Sequence, residues 1–233
     1  MSTELSSVCA VQEHEYPKRE FKAVLWDMDG TLVDTEPYWM RAEIELMDRH
    51  GLHWDETLGE LMVGNTLLRS AEILGEHGLP LPPEQTVEIL LDGVVAQVRE
   101  HVPFRPGALE LLADLRAHDV PCALVTMSYR RLAEAVVAAC APGTFTALIT
   151  GDEVSAGKPD PEPYLVGAEA VGLPPSACAA LEDSLPGLRS AVAAGTRAVG
   201  IPHIVPLPRL DGAVLVESLA GMTTEGLSDL LSR

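Results

Sequence analysis

From residue 103 onward, short apolar runs alternate with amphipathic segments, and that alternation restricts the fold more than any other feature of the chain. Pro121–Thr126 (PCALVT), Phe145–Thr150, Ala177–Leu181 and Ala198–Ile201 read as strands. Helical patterns over Ala108–His118, Tyr129–Cys140, Glu162–Val171 and Leu185–Ala194 separate them. Strands that alternate with helices in this way run parallel and are joined by right-handed crossovers. One further apolar run, Phe21–Trp26 (FKAVLW), lies far upstream and stops at Asp27-Met28-Asp29-Gly30, where glycine permits a sharp turn. The expected fold class is α/β, with a parallel sheet as core.

Between that first strand and the rest, residues 36–102 are helical throughout. The spacing predicts a helix over Glu36–His50, with Asp34 or Thr35 as N-cap, Pro37 in the first turn and Gly51 as the stop. Trp39, Ile44, Leu46 and Met47 supply much of its apolar surface. Shorter helices are expected over Asp55–Met62 and Leu67–His77, and a long one over Glu84–Val102, where Val87, Leu90, Leu91, Val94, Val95 and Val98 recur at helical spacing. Gly93 weakens that last helix slightly. The economical organisation is a helical insert, residues 36–102, on a core made of 21–35 and 103–233. Val33–Glu36 and Val102–Gly107 would then be the hinges, and residues 1–20 a flexible polar extension.

Composition narrows the function. The chain has 233 residues, 47% hydrophobic and 22% charged, which is ordinary for a globular protein. No run of 18 apolar residues suggests a membrane span, and Met1–Glu20 lacks the apolar stretch of a signal peptide. The expected compartment is the cytoplasm and the default state a monomer. A formal charge of −19 repels phosphate backbones, so nucleic acid is not expected as a partner. An anionic substrate would need a local cation or a metal. Cys9, Cys122, Cys140 and Cys178 show no zinc-type spacing and read as free buried thiols. Lys18, Lys22 and Lys158 are the only lysines, which makes Lys158 conspicuous.

In an α/β sheet, ligands bind beyond the carboxyl ends of the strands. Asp27 and Asp29 follow the first strand, and Thr126, Met127 and Ser128 the second. Thr150-Gly151-Asp152 and the loop of Lys158 follow the third, and Glu182, Asp183 and Ser184 the fourth. Asp27 and Asp29, two apart in an extended segment, point the same way and could divide acid and base work. An isolated D-x-D-G reads equally as a turn. Glu182 and Asp183 repel unless a cation is near, although Asp183 or Ser184 could also cap the helix that follows. With Asp27 they make an oxygen-rich site suited to magnesium. The Thr126 hydroxyl and the amides of Met127 and Ser128 could donate to phosphate oxygens, while Ser128 alone reads equally as an N-cap. A lysine at a Gly-Lys-Pro turn is usually solvated, but Lys158 falls on an acidic rim. Of the seven histidines only His203 could fall on that rim, and all seven read as surface residues. Neither G-x-x-x-x-G-K-[ST] nor G-x-G-x-x-G occurs, so a glycine-rich nucleotide cradle is unsupported.

Asp27-Met28-Asp29-Gly30-Thr31-Leu32-Val33-Asp34 resembles the first motif of the haloacid dehalogenase superfamily, with Thr126, Lys158 and Glu182-Asp183 matching its second, third and fourth in order. The insert resembles the four-helix cap of the β-phosphoglucomutase-like branch. The stretch Asp34–Trp39 is similar to sugar-phosphate phosphatases of that branch. The resemblance implies a Rossmann-like parallel core with an inserted cap and a Mg2+-dependent phosphatase for small phosphorylated metabolites. It implies that Asp27 is the nucleophile that carries an aspartyl-phosphate and Asp29 the acid and base. Mg2+ would be held by Asp27, the Asp29 carbonyl and Asp183, with Glu182 as alternate ligand or support. Thr126, Met127 and Lys158 would hold phosphoryl oxygens. Asp29 argues against dehalogenation, and a cap without lysine argues against phosphonate cleavage. Thr31 leans toward a phosphatase. The alternatives are a phosphosugar mutase and a non-catalytic binding protein. Gly64, Asn65 and Arg69, between cap helices, are candidates for substrate contact, and they read equally as a turn and a solvated arginine.

Overall fold

A computed structural model describes residues 19–62 and 66–232. Six strands form one parallel sheet: β1 (Ala23–Trp26), β2 (Cys122–Val125), β3 (Ala147–Ile149), β4 (Cys178–Glu182), β5 (Arg197–Gly200) and β6 (Ala213–Leu215), in the order β3-β2-β1-β4-β5-β6. The chain winds outward from β1 to β3, then returns to place β4 on the other side of β1. That reversal makes the carboxyl ends of β1 and β4 the switch point, where a crevice opens. Register is direct there, with Trp26 opposite Leu124 on one side and Leu181 on the other.

Alternation along the strands sorts the core into two layers. Val24, Trp26, Leu124, Leu181 and Val199 face α5 (Ala108–Ala117), α6 (Arg130–Val137) and α9 (Thr224–Leu231). Ala23, Leu25, Ala123, Val125, Ala180 and Ala198 face α7 (Glu162–Ala170) and α8 (Leu185–Ala193). Small residues on this second layer let α7 sit low enough for the fully buried Tyr164 to reach the rim. The expected core elements are all present; β1, β2, β3 and α6 are shorter than expected by two to four residues, α5, α7 and α8 each end one residue early, and β4 and β5 are displaced by one residue. Strand β6, helix α9 and a 3-10 turn at Pro175–Ala177 go beyond the expected set.

The helical block comprises α1 (Glu36–Arg49), α2 (Glu56–Gly59), α3 (Leu67–Glu76) and α4 (Pro83–Glu100). The segment expected as one helix over 55–62 is a single α turn followed by a 3-10 turn, Glu60–Met62. Helix α4 runs unbroken through Gly93, packs on α1 and α3, and also lies against α6. The apolar interior of the block thus continues into one layer of the core. The chain leaves and re-enters the core side by side. Val33 and Phe104 pair as an antiparallel bridge, the Asp34 N–H donates to the Pro103 carbonyl (2.9 Å), and the Arg105 N–H donates to that of Leu32 (2.9 Å).

Residues 1–18 of the expected extension lie outside the described residues. Arg19 and Glu20 do not behave as an extension. The Arg19 guanidinium donates to the His118 carbonyl, and Glu20 pairs with Arg197 at 3.0 Å. Among the described residues no helix is long and apolar enough to cross a membrane.

Candidate active site

The rim is built by short loops that leave the sheet at its switch point. The Asp27 N–H still donates to the Leu181 carbonyl (3.0 Å), so the ladder carries this residue just past the end of β1. The chain then turns back on itself, with the Leu32 and Val33 amides donating to the Met28 carbonyl. Gly30 makes the turn possible twice over. Its φ is +89°, and a Cβ there would fall 2.0 Å from Asp183 Oδ2, so the bare backbone leaves room for the Asp183 carboxylate. In the first turn of α8, Gly187 does the same for Glu182, whose carboxylate would lie 1.9 Å from a Cβ at that position.

Lys158 is the centre of the arrangement. Its side chain is only 5% exposed, and all three ammonium protons are used. Nζ donates to Asp27 Oδ1 (2.7 Å), Glu182 Oε1 (2.6 Å) and the Val125 carbonyl (2.9 Å). A solvated lysine at that turn is therefore excluded. Burial alone would lower its pKa, but the adjoining Asp27 and Glu182 carboxylates outweigh burial and hold the ammonium charged. Glu182 is fully buried. It accepts the Tyr164 hydroxyl on Oε1 (2.8 Å), and the Ser184 hydroxyl (3.0 Å) and N–H (3.3 Å) on Oε2. Burial and the same carboxylate push the Tyr164 phenol well above its ordinary pKa, so it stays a donor.

Asp27, Glu182 and Asp183 offer oxygens that all lie within 4.8 Å of one another. Burial, then repulsion from Glu182, raises Asp27 to about 7, against the pull of Lys158. Burial, then repulsion from Asp27 and Glu182, raises Asp183 to about 9. Three carboxylates face one ammonium, and the imbalance shows in the raised pKa values of Asp27 and Asp183. Asp27 Oδ2 is buried without a hydrogen-bond partner. An orphaned oxygen among hard carboxylate donors, with excess negative charge, is what a divalent cation such as Mg2+ satisfies. The residues present fit such an ion.

Asp29 faces a separate set of donors. Its Oδ1 accepts the Thr35 hydroxyl (2.5 Å), and its Oδ2 accepts the hydroxyls of Ser128 (2.7 Å) and Thr126 (3.3 Å). Thr35 precedes α1 but caps nothing with its side chain. Its hydroxyl ties the start of the helical block to Asp29. Ser128 is likewise not the N-cap of α6, since that helix begins at Arg130 after Tyr129. The Ser128 N–H is taken by the Thr126 hydroxyl at 3.0 Å. Met127 lines the Lys158 turn instead, its sulfur accepting the Lys158 N–H at 3.3 Å. Ser184 is the N-cap of α8, accepting the Gly187 N–H. Thr150 and Asp152 brace the edge of the sheet. Thr150 donates to Glu153, which pairs with Arg130, and Asp152 accepts the Arg130 N–H.

Of the suggested cap residues, Gly64 and Asn65 lie outside the described residues. Arg69 is exposed and bonded to Glu72 (3.0 Å) and Glu76 (2.9 Å) of its own helix, which is the solvated reading. His203 is no surface residue. Its side chain is 16% exposed and lies between Asp34 (3.1 Å) and Arg105 (2.5 Å), joining both crossings to the loop after β5. His118 is also half-buried, and so is Cys140 among the expected buried thiols. Tyr164, Gly187 and Thr35 are site residues that no motif in the sequence marks. A cleft of about 640 Å3 opens elsewhere, between the end of α4 and α6, lined by Val98, His101, Phe104, Arg131 and Glu134 among others. None of the rim carboxylates lines it, so chemistry rather than cavity size locates the site.

A parallel α/β sheet that gathers three carboxylates around one buried lysine at its switch point defines a hydrolase-type centre with room for a cation. The chain belongs to the haloacid dehalogenase-like hydrolases, whose family signature matches residues 21–195. It is similar to hexitol phosphatase A of Escherichia coli K12, with 34% identity over 84% of this chain and 89% of that protein. It is also similar to the crystal structure of CbbY from Rhodobacter sphaeroides in complex with phosphate, at 31% identity and a TM-score of 0.78 over 89% of this chain and 99% of that one. A β-phosphoglucomutase from Clostridium difficile shares the fold, at 21% identity and a TM-score of 0.74 over 91% of this chain and 97% of that one.

Proposed function

We propose that the protein is a Mg2+-dependent phosphatase that hydrolyses small sugar or polyol phosphates through an aspartyl-phosphate on Asp27. The observation that carries this reading is the Asp27 carboxylate, buried at the switch point and pinned at 2.7 Å by a lysine that has no other exposed task. The likeness to hexitol phosphatase A supports the substrate class. In this reading Asp27, the Asp29 carbonyl and Asp183 hold Mg2+. Glu182, whose oxygens already accept four donors, positions Lys158 and is the alternate ligand. The bound ion would neutralise the carboxylates and the phosphoryl oxygens so that the two anions can meet. Residues 36–102 act as the cap and 21–35 with 103–233 as the catalytic core.

An Asp27 oxygen attacks phosphorus, the bond from phosphorus to the substrate oxygen breaks, and Asp29 gives a proton to the departing alkoxide. Asp29, now a carboxylate, takes a proton from water. The water oxygen attacks phosphorus, the acyl-phosphate bond breaks, and Asp27 and inorganic phosphate are released. Lys158 keeps Asp27 aimed and its positive charge near the phosphoryl oxygens. The Thr126 and Ser128 hydroxyls, which bond to Asp29 here, are placed to turn to those oxygens. The Thr35 hydroxyl links the acid-base carboxyl to the first turn of the cap. Phosphorus NMR on hexose and hexitol phosphates, with and without a bisphosphate primer, tests the reading. Inorganic phosphate and free sugar are expected. Interconversion of 1- and 6-phosphates faster than phosphate release would assign a mutase instead.

A further inference from the structure

One buried acid has no task in that chemistry. Glu43 lies on α1, 4% exposed, among Ala42, Leu46 and Met47. Its hydrogen bond comes from the Trp54 indole, Nε1 to Oε2 at 3.1 Å. No Lys, Arg or His among the described residues forms an ion pair with it. Trp54 is itself buried and held edge-on to His77, with ring centroids 5.2 Å apart. Burial raises Glu43 to about 7, offset by the Trp54 hydrogen bond and reinforced by Glu36. An apolar side chain would fill this place at no such cost. A carboxylate offers about four acceptor sites, and one is in use.

Glu43 lies on the helix that starts beside the reacting groups. Glu36, Met40, Glu43 and Met47 recur on one stripe of α1. Burial deepens along it, from half-buried Glu36 and Met40 to fully buried Met47. The stripe begins next to the Thr35–Asp29 hydrogen bond, and Glu36 feels the Asp29 and Asp34 charges. Helix rise places residue 43 about 10 Å along the axis from residue 36. An extended six-carbon ester with its phosphoryl group at Asp27 has a comparable reach. Helix α2 crosses the stripe closely, since a Cβ at Gly59 would fall 2.1 Å from Met40 Cε and 3.8 Å from Glu43 Oε2.

We propose that Glu43, set by Trp54, is a specificity-determining residue that accepts hydrogen bonds from hydroxyl groups of the leaving alcohol, so that polyhydroxylated esters are preferred over aryl or simple alkyl ones. The proposal rests on the phosphatase reading above. Hydroxyl donors complete the unfilled acceptor sites of a buried carboxylate, and an alcohol without them leaves those sites unmet. The test compares the purified full-length protein with Glu43→Gln, Glu43→Met and Trp54→Phe. The readout is the ratio of kcat/KM on sorbitol 6-phosphate to that on p-nitrophenyl phosphate, with melting temperature measured alongside. In Glu43→Met the ratio should fall about 10- to 100-fold without loss of melting temperature, and Glu43→Gln, which keeps an acceptor, should lose less. Should Glu43→Met fail to fold, Glu43→Gln and Trp54→Phe decide by the same ratio. A ratio within about twofold of the wild type in the folded variants makes Glu43 structural and overturns the proposal. Wild-type turnover of p-nitrophenyl phosphate but of no polyol phosphate overturns it while the phosphatase reading stands. No turnover of any ester overturns the phosphatase reading itself.

Discussion

Lys158→Met removes the one cation seated between Asp27 and Glu182 while keeping a similar side-chain volume. The lysine side chain is 5% exposed, that of Asp27 10% and that of Glu182 0%, so water cannot replace the lost charge. Breaking a buried ion pair from one side costs about 3–5 kcal/mol. The loss should depend on pH in a definite direction. The folded pKa of Asp27 already stands at about 7, above its ordinary 3.8, and Lys158 is what holds it down. Without the lysine it rises further. A carboxyl raised in the folded state contributes most below its unfolded value and loses that contribution as pH rises through the folded one. The deficit of the variant against the wild type therefore grows above pH about 7, by about 1.4 kcal/mol per pH unit for one proton. From pH 7 to 9 that amounts to roughly 3 kcal/mol, in line with the ion-pair figure. Urea unfolding in metal-free buffer at pH 6 and 9 measures it. Equal stability of the two proteins at pH 9, or a deficit that is the same at both pH values, would refute the electrostatic account. The latter result would assign Lys158 a packing role.

Asp27→Asn should abolish turnover by about three orders of magnitude or more in a folded protein, because an amide cannot form the acyl-phosphate. Its metal-free stability at pH 8 should match or exceed the wild type, since one of three crowded carboxylates is gone; steady turnover in a pure sample would sink the nucleophile assignment. Activity should vanish in EDTA and return with Mg2+, while Ca2+, with its looser shell, should inhibit. Because Asp27 and Asp183 hold protons up to about 7 and about 9, Mg2+ affinity should climb from pH 6 to 9 with proton release, seen by calorimetry in two buffers; a flat profile contradicts the cluster's electrostatics. Gly30→Ala should weaken Mg2+ binding about tenfold or more by displacing Asp183, and unchanged affinity would show that the carboxylate has another place to go.

The rim was legible because strand ends are legible. Each apolar run stops at a residue that cannot continue it, and the residues that follow are the ones the sheet brings together. The supporting contacts were not, since they join elements far apart in sequence. Tyr164 reads as one more apolar position of α7, and only the packing turns its hydroxyl onto Glu182. Thr35 and Ser128 read as helix caps, because a hydroxyl before a helix usually is one, yet both spend it on Asp29. Glu43 falls among core positions of α1, where periodicity marks the face but not a polar exception on it. Strand β6 escaped because three residues, half-exposed at an edge, carry too little pattern. His203 reads as a surface residue because its partners, Asp34 and Arg105, are supplied by both crossings.

Those crossings have a consequence for how such a protein can change over time. The helical block departs and returns through a single paired point, Val33 opposite Phe104, with two backbone hydrogen bonds of 2.9 Å beside it. To the sheet, everything between them is a closed loop, and loop length is thermodynamically cheap to alter. Replacement of the segment leaves the strand register and the rim loops in place where the face of α4 that packs on α6 is kept. Alterations in residues 36–102 should therefore redirect which ester is accepted, and alterations at the rim should decide whether any is cleaved. A library confined to the insert, with the face of α4 that meets α6 held fixed, would then search substrate scope while sparing the chemistry.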